Sequence, residues 1–218
     1  SLTDEVRDHI RDGIAEGRYK PGEWLKEGAI GEELSVSRTP IREAIRILEA
    51  EGLIVMEPWK GITVATLSRR QVSDFYAYRE IIEGLAAEMA ASVITEDEIE
   101  GLDAILLQLE KGRDQTGSEL ANVNELFHKT IFDISGNRFL NQSLEVINTA
   151  KILIWKPVYP SHERWREAQQ EHRKMFDALR SRDAITAKTV AQEHVRSAGL
   201  TRVAAMIREE LEADSSEK

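Results

Sequence analysis

Cysteine is absent from the 218-residue chain. That removes disulfide frameworks, thiolate metal sites and cysteine nucleophiles together, and leaves histidine and carboxylates to carry any metal chemistry. Proline and glycine are sparse, 5 and 13 residues, too few for a collagen-like or low-complexity polymer. No apolar run reaches the roughly 18 residues of a spanning helix, and no charged-then-apolar leader opens the chain. The expectation is a cytoplasmic protein with no membrane partner. An excess of positive charge is missing as well: 29 Lys+Arg stand against 39 Asp+Glu, a formal net charge of −10. Phosphate neutralisation by Lys and Arg supplies nearly all non-specific affinity for nucleic acid, so indiscriminate coating is excluded while binding through a small basic patch stays open. What the sequence does have is apolar residues, 41% of the total, enough for a packed core and against a disordered chain.

Apolar spacing changes character near residues 66–70. Before that point, Val6, Ile10 and Ile14 form one helix face, and Gly17 and Pro21-Gly22 punctuate a loop. A second short helix is predicted over Glu27 to Leu34. Ser37-Arg38-Thr39-Pro40 opens a third, with Thr39 suited to the N-cap and Pro40 to the first helical position. Its buried stripe is Ile41, Ala44, Ile45 and Leu48, and Gly52 stops it. Leu53 to Met56, Pro58 to Gly61 and Ile62 to Ala65 then read as strand, turn and strand. From Ser68 onward only helical periodicity remains, in segments near 69–92, 95–112, 118–135, 138–156, 161–181 and 183–213. Thr95 with Glu98 reads as a capping box, Ser135-Gly136-Asn137 as a stop, and Pro157 and Pro160 as the brackets of a break. The fold class is therefore mainly α: a winged helix-turn-helix over 1–67, an all-α bundle of about six helices over 68–213, and a frayed tail at 214–218.

Opposite the apolar stripe of the third helix lie Arg42 and Arg46, four residues apart, with Arg38 on the same side just before the helix start. Arginine grips guanine O6 and N7 with two parallel hydrogen bonds, and a major groove admits one helix. The competing reading is a solvated face whose arginines pair with Glu43, Glu49 or Glu51. The surrounding short helix, tight turn and hairpin favour the nucleic-acid reading, with Lys60-Gly61 at the tip of the wing.

Five histidines occur. Asn124 and His128 sit at i and i+4 on one helix face. His172 and His194 flank the break at Ser181-Arg182-Asp183, each 11 residues from Asp183 (183 − 172 and 194 − 183), so an antiparallel hairpin brings them to one level. Three nitrogens and one oxygen would then converge, a set suited to Zn²⁺, Ni²⁺ or another divalent transition metal. Taken singly, each histidine reads first as a surface or hydrogen-bonded core imidazole, and the joint placement favours the metal. His9 and His162 have no partners at useful spacing and read as surface, and Trp155 as core.

Residues 2–66 resemble the DNA-binding domain of GntR-type bacterial transcription regulators. The resemblance is carried by Arg18 to Glu23, Ser37 to Leu48, Glu51-Gly52-Leu53 and Lys60 to Val64. It implies base reading by Arg38, Arg42 and Arg46, and phosphate contacts from Thr39, Lys60 and Gly61. Ile30-Gly31 stands where that family usually shows Leu-Ala, and Ser35 where it shows Gly. Residues 70–213 resemble the FCD ligand-sensing domain of the FadR subfamily through Arg79 to Ala87, Asn124 to His128, Gly136-Asn137, Glu171-His172-Arg173 and Asp183 through His194. That resemblance implies a metal held by Asn124, His128, His172 and His194, with the family's more usual Asp replaced here by Asn124. A neutral amide is a weaker ligand than a carboxylate and leaves the site one unit more positive, which favours an anionic effector. Arg79 is implied to hold a carboxylate of that effector, against the alternative of a helix-surface ion pair with Glu83.

The expected function is a homodimeric, non-enzymatic regulator of a palindromic double-stranded operator, governed by a small organic acid bound beside the metal. A metalloregulator, in which the ion itself is the signal, is the nearest alternative. A metal-dependent hydrolase is a remote one, since no H-E-x-x-H segment occurs, and a helical scaffold for another protein is a third.

Overall fold

The structure is a computed structural model describing residues 1–57, 61–112, 117–154 and 161–216. It comprises α1 (Leu2–Ala15), α2 (Glu27–Leu34), α3 (Arg38–Ala50), β1 (Ile54–Glu57), β2 (Gly61–Val64), α4 (Arg69–Val93), α5 (Glu96–Lys111), α6 (Gly117–Ser135), α7 (Arg138–Leu153), α8 (His162–Arg180) and α9 (Ala184–Ser216). Among the described residues, three helices precede the hairpin and six follow it. Backbone contacts divide the chain into two units, residues 1–68 with 146–155, and residues 69–145 with 156–218.

In the first unit, Val6, Ile10 and Ile14 of α1 pack with Ile41, Ala44, Ile45 and Leu48 of α3 around a dry core that Leu25, Ile30, Leu53, Ile54 and Val64 complete. Ser1 and Asp4 form a capping box at the start of α1. α3 begins two residues earlier than the sequence suggests. Ser37, in extended conformation, occupies the N-cap, so Thr39 lies inside the first turn and Pro40 third in the helix. The shift is tolerated because the first four helical N–H groups lack an intrahelical acceptor, and proline's missing donor goes unnoticed at any of them. The helix ends in a Schellman motif: Leu53 N–H donates to Leu48 O and Gly52 N–H to Glu49 O, each at 2.9 Å, with Gly52 left-handed at φ +79°.

The corner between α2 and α3 explains Gly31. A Cβ there would meet Ile41 Cδ1 and the Val36 carbonyl oxygen, both at 3.2 Å, so glycine lets the two helices close on each other. Ser35 turns the chain in the left-handed region at φ +55°. β1 and β2 pair antiparallel with Ile54 opposite Val64 and Glu57 opposite Gly61, and Trp24 adds a bridge to Thr63. Pro58, Trp59 and Lys60, where a turn is expected, lie outside the described residues. Thr149 of α7 accepts from Arg11 at 3.1 Å, and Leu153 joins the core of this unit.

In the second unit, α4 and α9 run antiparallel, tied by Lys188 to Glu88 at 2.8 Å and Arg69 to Glu210 at 3.2 Å. Small residues allow the approach: a Cβ on Gly199 would stand 2.8 Å from Tyr76 Cβ. Ala87, Ala90 and Ala91 of α4 meet Leu102 and Leu106 of α5, Phe127 and Ile131 of α6, Phe176 and Leu179 of α8, and Ala187 and Ala191 of α9. Thr95 and Glu98 make the expected capping box, and Gly136, at φ +64°, separates α6 from α7. The expected break at Pro157 and Pro160, and Trp155 beside it, fall outside the described residues. α9 continues to Ser216, past the frayed start anticipated at residue 214.

Candidate nucleic-acid interface and metal centre

Burial of the apolar stripe of α3 turns its other side outward, and Arg38, Thr39, Arg42 and Arg46 are all exposed. The acidic residues that compete for these arginines are mostly engaged elsewhere. Glu43 accepts from Thr3 Oγ1 at 2.8 Å and Glu51 from Arg11 at 3.1 Å. Arg42 makes one long contact, 3.4 Å to Glu27, with 62% of its side chain exposed. Such a contact, open to solvent, is worth little and exchanges readily for another anion. On the hairpin, Gly61 sits at φ +99°, and a Cβ there would stand 2.8 Å from the Trp24 ring. Backbone conformation and the indole each demand glycine at this position.

The second site is assembled by three helices. Phe127 and Ile131 fix the buried face of α6, turning His128 inward. α8 and α9 form the hairpin that equal spacing suggests, closed by a second Schellman motif in which Arg182 N–H donates to Leu179 O and Asp183 N–H to Ala178 O. Arg182 takes the left-handed position at φ +57°, and Asp183 then caps α9 by accepting from Thr186 N–H at 3.0 Å. His172 and His194 meet with ring centroids 4.5 Å apart, and His128 stands 5.4 Å and 5.2 Å from them. The three are 4%, 0% and 5% exposed. One ring nitrogen from each lies within 4.8 Å of the other two.

Each imidazole is oriented from behind. His128 Nδ1 faces Glu83 Oε2 at 3.1 Å, His172 Nδ1 faces Gln169 Oε1 at 3.4 Å, and His194 Nδ1 faces Glu171 Oε2 at 2.7 Å. Metal-ligating histidines characteristically donate one ring N–H to an acceptor, which fixes the tautomer and leaves the other nitrogen basic. His172 Nε2 is buried with no hydrogen-bond partner. Burial, followed by repulsion from His194 and His128, holds the His172 imidazolium pKa well below its ordinary value, so the ring is neutral, as a ligand must be. These observations fit a divalent metal held by His128, His172 and His194. Asn124 stands one turn before His128 on α6, half-buried.

Around the imidazoles lies a charged shell. Glu171 accepts two hydrogen bonds from Arg164, both at 2.8 Å. Burial alone would raise its pKa, yet the bonds from His194 and Arg164 outweigh that cost and bring it to about 2. Arg79 is buried on α4, its guanidinium 2.7 Å from Glu83 Oε1. The ion pair that spacing permits therefore exists in the interior rather than on the surface, and Glu83 links Arg79 to His128. Tyr76 and Phe75 lie 5.2 Å and 5.7 Å from the Arg79 guanidinium. Burial works against the charged form of Arg79, and Glu83 with Tyr76 overcomes it, raising its pKa.

Glu83, Arg164, Gln169 and Glu171 were not singled out from the sequence as orienting groups. The available signal was spacing: Gln169 and Glu171 lie three residues and one residue before His172 on the helix that carries it. His9 departs from the surface reading, being half-buried and facing Tyr19 Oη at 3.3 Å and Glu33 Oε1 at 3.5 Å. His162 is exposed and stacks on Trp165 with centroids 5.3 Å apart. Lys60 lies outside the described residues.

Comparison with known proteins gives two family matches. Residues 2–64 match the bacterial regulatory proteins of the gntR family, and residues 74–197 match the FCD domain. The HTH-type transcriptional regulator YdhC of Bacillus subtilis (strain 168) is 31% identical over 190 residues, covering 85% of this chain and 82% of the relative. The Nta operon transcriptional regulator of Aminobacter aminovorans is 30% identical over 149 residues, 66% of this chain and 71% of that one. Among solved structures, McbR/YncC of E. coli superposes with a TM-score of 0.78 at 23% identity, covering 95% of this chain and 99% of that one; at that identity the likeness speaks for the fold. No helix among the described residues is long and apolar enough to cross a membrane. A winged helix-turn-helix followed by a helical domain with a buried histidine trio, matched in both parts, makes this chain a member of the gntR family of bacterial transcription regulators, of the FadR subfamily with a C-terminal FCD domain.

Proposed function

We propose that the protein is a cytoplasmic homodimeric regulator, not an enzyme, that binds palindromic operator DNA through α3 and the wing and releases or tightens that grip when a small organic acid enters the FCD domain. Arg38, Arg42 and Arg46 read base edges, while Thr39, Lys60 and Gly61 approach phosphates. A single recognition helix reads few base pairs, so two-fold pairing over an inverted repeat multiplies specificity. Tyr78, Ile81 and Leu85, exposed at 37%, 64% and 37% along one side of α4, offer an apolar stripe for pairing two copies.

The observation that carries the sensing role is the buried relay Arg79–Glu83–His128 beside His172 and His194. His128, His172 and His194 hold a divalent metal, Zn²⁺ or Ni²⁺, with Asn124 as the oxygen donor of the fourth position. When bound, the ion supplies Lewis-acid attraction for a carboxylate oxygen. Arg79 supplies a planar donor fork to the same carboxylate, with Glu83 holding that fork in place. Glu83, Gln169 and Glu171 are committed to orienting imidazoles, which supports a binding role over proton transfer. The test is operator retention by the full chain, dialysed against a chelator or loaded with Zn²⁺, with and without a panel of organic acids. Response to an acid only in the loaded protein supports the reading. Release or capture of DNA by Zn²⁺ or Ni²⁺ alone would make the ion the signal and set the acid aside.

A further inference from the structure

The inner face of α8 carries more hydrogen-bond donors than the protein uses. Trp165, Gln169 and His172 fall at i, i+4 and i+7, one stripe of the helix. Trp165 Nε1, Gln169 Nε2 and His172 Nε2 are all shielded from solvent and all without a hydrogen-bond partner, and Gln169 is 6% exposed. Buried polar atoms are nearly always satisfied, so three unsatisfied ones on one stripe call for a ligand.

A metal accounts for the lone pair of His172 Nε2 and for nothing else on this stripe. Indole Nε1 is a donor only, and the Gln169 amide nitrogen is a donor too. Gln169's orientation follows from its neighbour: with His172 Nε2 reserved for a metal, Nδ1 carries the proton and requires the amide oxygen opposite it, which turns the NH2 group away. Both donors therefore need an oxygen acceptor.

Charge identifies the kind of oxygen. Two guanidinium groups on α8 near this stripe already have carboxylate partners, Arg164 with Glu171 at 2.8 Å and Arg173 with Glu110 and Asp103, each at 2.8 Å. A second carboxylate buried against Trp165 Nε1 and Gln169 Nε2 would meet two neutral donors, and burying a charge without a counter-charge beside it is costly. A hydroxyl or carbonyl oxygen meets the same donors without that cost. The midpoint of Trp165 and Gln169 lies five residues from His172, about 7 Å along the axis at a rise of 1.5 Å per residue, which an acid of about six carbons spans. Gln169 also borders a surface groove of about 330 Å³ shared with Glu110, Gln170, Arg173 and Lys174.

We infer that the effector is a medium-chain oxo or hydroxy acid: its carboxylate sits at the histidine trio and its distal neutral oxygen accepts from Trp165 Nε1 and Gln169 Nε2. This rests on the acid-sensing reading above. The experiment is isothermal titration calorimetry on the full Zn²⁺-loaded chain with hexanoate, 5-oxohexanoate, 6-hydroxyhexanoate and adipate. Wild-type protein should bind 5-oxohexanoate or 6-hydroxyhexanoate about tenfold more tightly than hexanoate, the size of one good buried hydrogen bond, and adipate no more tightly than hexanoate. Trp165→Phe and Gln169→Leu, which keep volume and remove a donor, should each bring the oxygenated acid back to the hexanoate level. Unchanged hexanoate affinity and an unchanged circular dichroism melt in at least one variant show that the fold is intact. Equal affinities for the acids, a gain that survives in both variants, or adipate as the tightest ligand would overturn the inference and leave acid sensing standing. No heat with any acid, while Zn²⁺ still binds, would remove the sensing reading and the inference together.

Discussion

Replacing Glu171 with Gln separates a structural carboxylate from an ornamental one, because Arg164 touches two carboxylates of different standing. Glu171 accepts two bonds from it at 2.8 Å, whereas Glu167 reaches it at 3.3 Å with 55% of its own side chain in solvent. Only 8% of the Arg164 side chain is exposed. Removing one partner of a buried pair leaves the other charge uncompensated, at a cost of about 3–5 kcal/mol. The low end applies, about 3 kcal/mol, because 22% of the Glu171 side chain reaches solvent and an amide keeps one acceptor. At roughly 2–4 °C per kcal/mol for a chain of this size, Glu171→Gln should lower the melting temperature of the chelated protein by about 6–12 °C. Glu167→Gln should cost less than about 1 kcal/mol. In the metal-bound protein Glu171→Gln should also weaken Zn²⁺ affinity by about 10–100-fold, through the loss of the charge that orients His194. Calorimetric melts with and without chelator and a competitive Zn²⁺ titration read both effects. Equal melting temperatures for the two variants would refute the reasoning, since the ion pair would then be doing nothing that solvent cannot.

Arg42→Ala and Arg46→Ala should each weaken binding to a selected operator by about 1–3 kcal/mol and relax preference at one base position, with the fold unchanged; anisotropy titrations against single-base variants of the site check this. Gly61→Ala forces a side chain into a left-handed backbone and against the Trp24 ring, and should destabilise the first unit by about 1–3 kcal/mol, read by urea denaturation. Gly199→Ala pushes a methyl into Tyr76 and should cost about 1–3 kcal/mol through overpacking between α4 and α9, seen as a lower denaturation midpoint. Arg79→Lys keeps the charge facing Glu83 but loses the planar fork, so acid affinity should fall about tenfold or more while metal-free stability changes little.

Much of this architecture was legible in the sequence because its signals are local. Thr95 and Glu98 announce a capping box that is present, and the equal spacing of His172 and His194 about Asp183 places both rings together without any knowledge of the hairpin's angle. What escaped is what local patterns do not encode. Ser37 and Thr39 both carry the hydroxyl that favours an N-cap, and spacing alone does not choose between them; the helix starts after Ser37. Apolar periodicity marks Ile152 and Leu153 as a stripe but cannot say which body the stripe faces; Leu153 joins the core of the first unit. Arg79 and Glu83 look like a surface pair at i and i+4, and they are buried where Glu83 meets His128 of α6, a contact that the spacing within α4 does not encode. His9 lacked a partner in its own helix and finds Tyr19 and Glu33 through the fold.

The regulator's role depends on sequence-selective DNA binding by the exposed arginine face of α3. Selection of the full chain against a random double-stranded library at physiological salt measures it. The wild-type chain should enrich an inverted repeat, lost when Arg38, Arg42 and Arg46 are replaced together by Ala. Recovery of no common sequence by the wild-type chain, or the same repeat recovered by the triple variant, would contradict it.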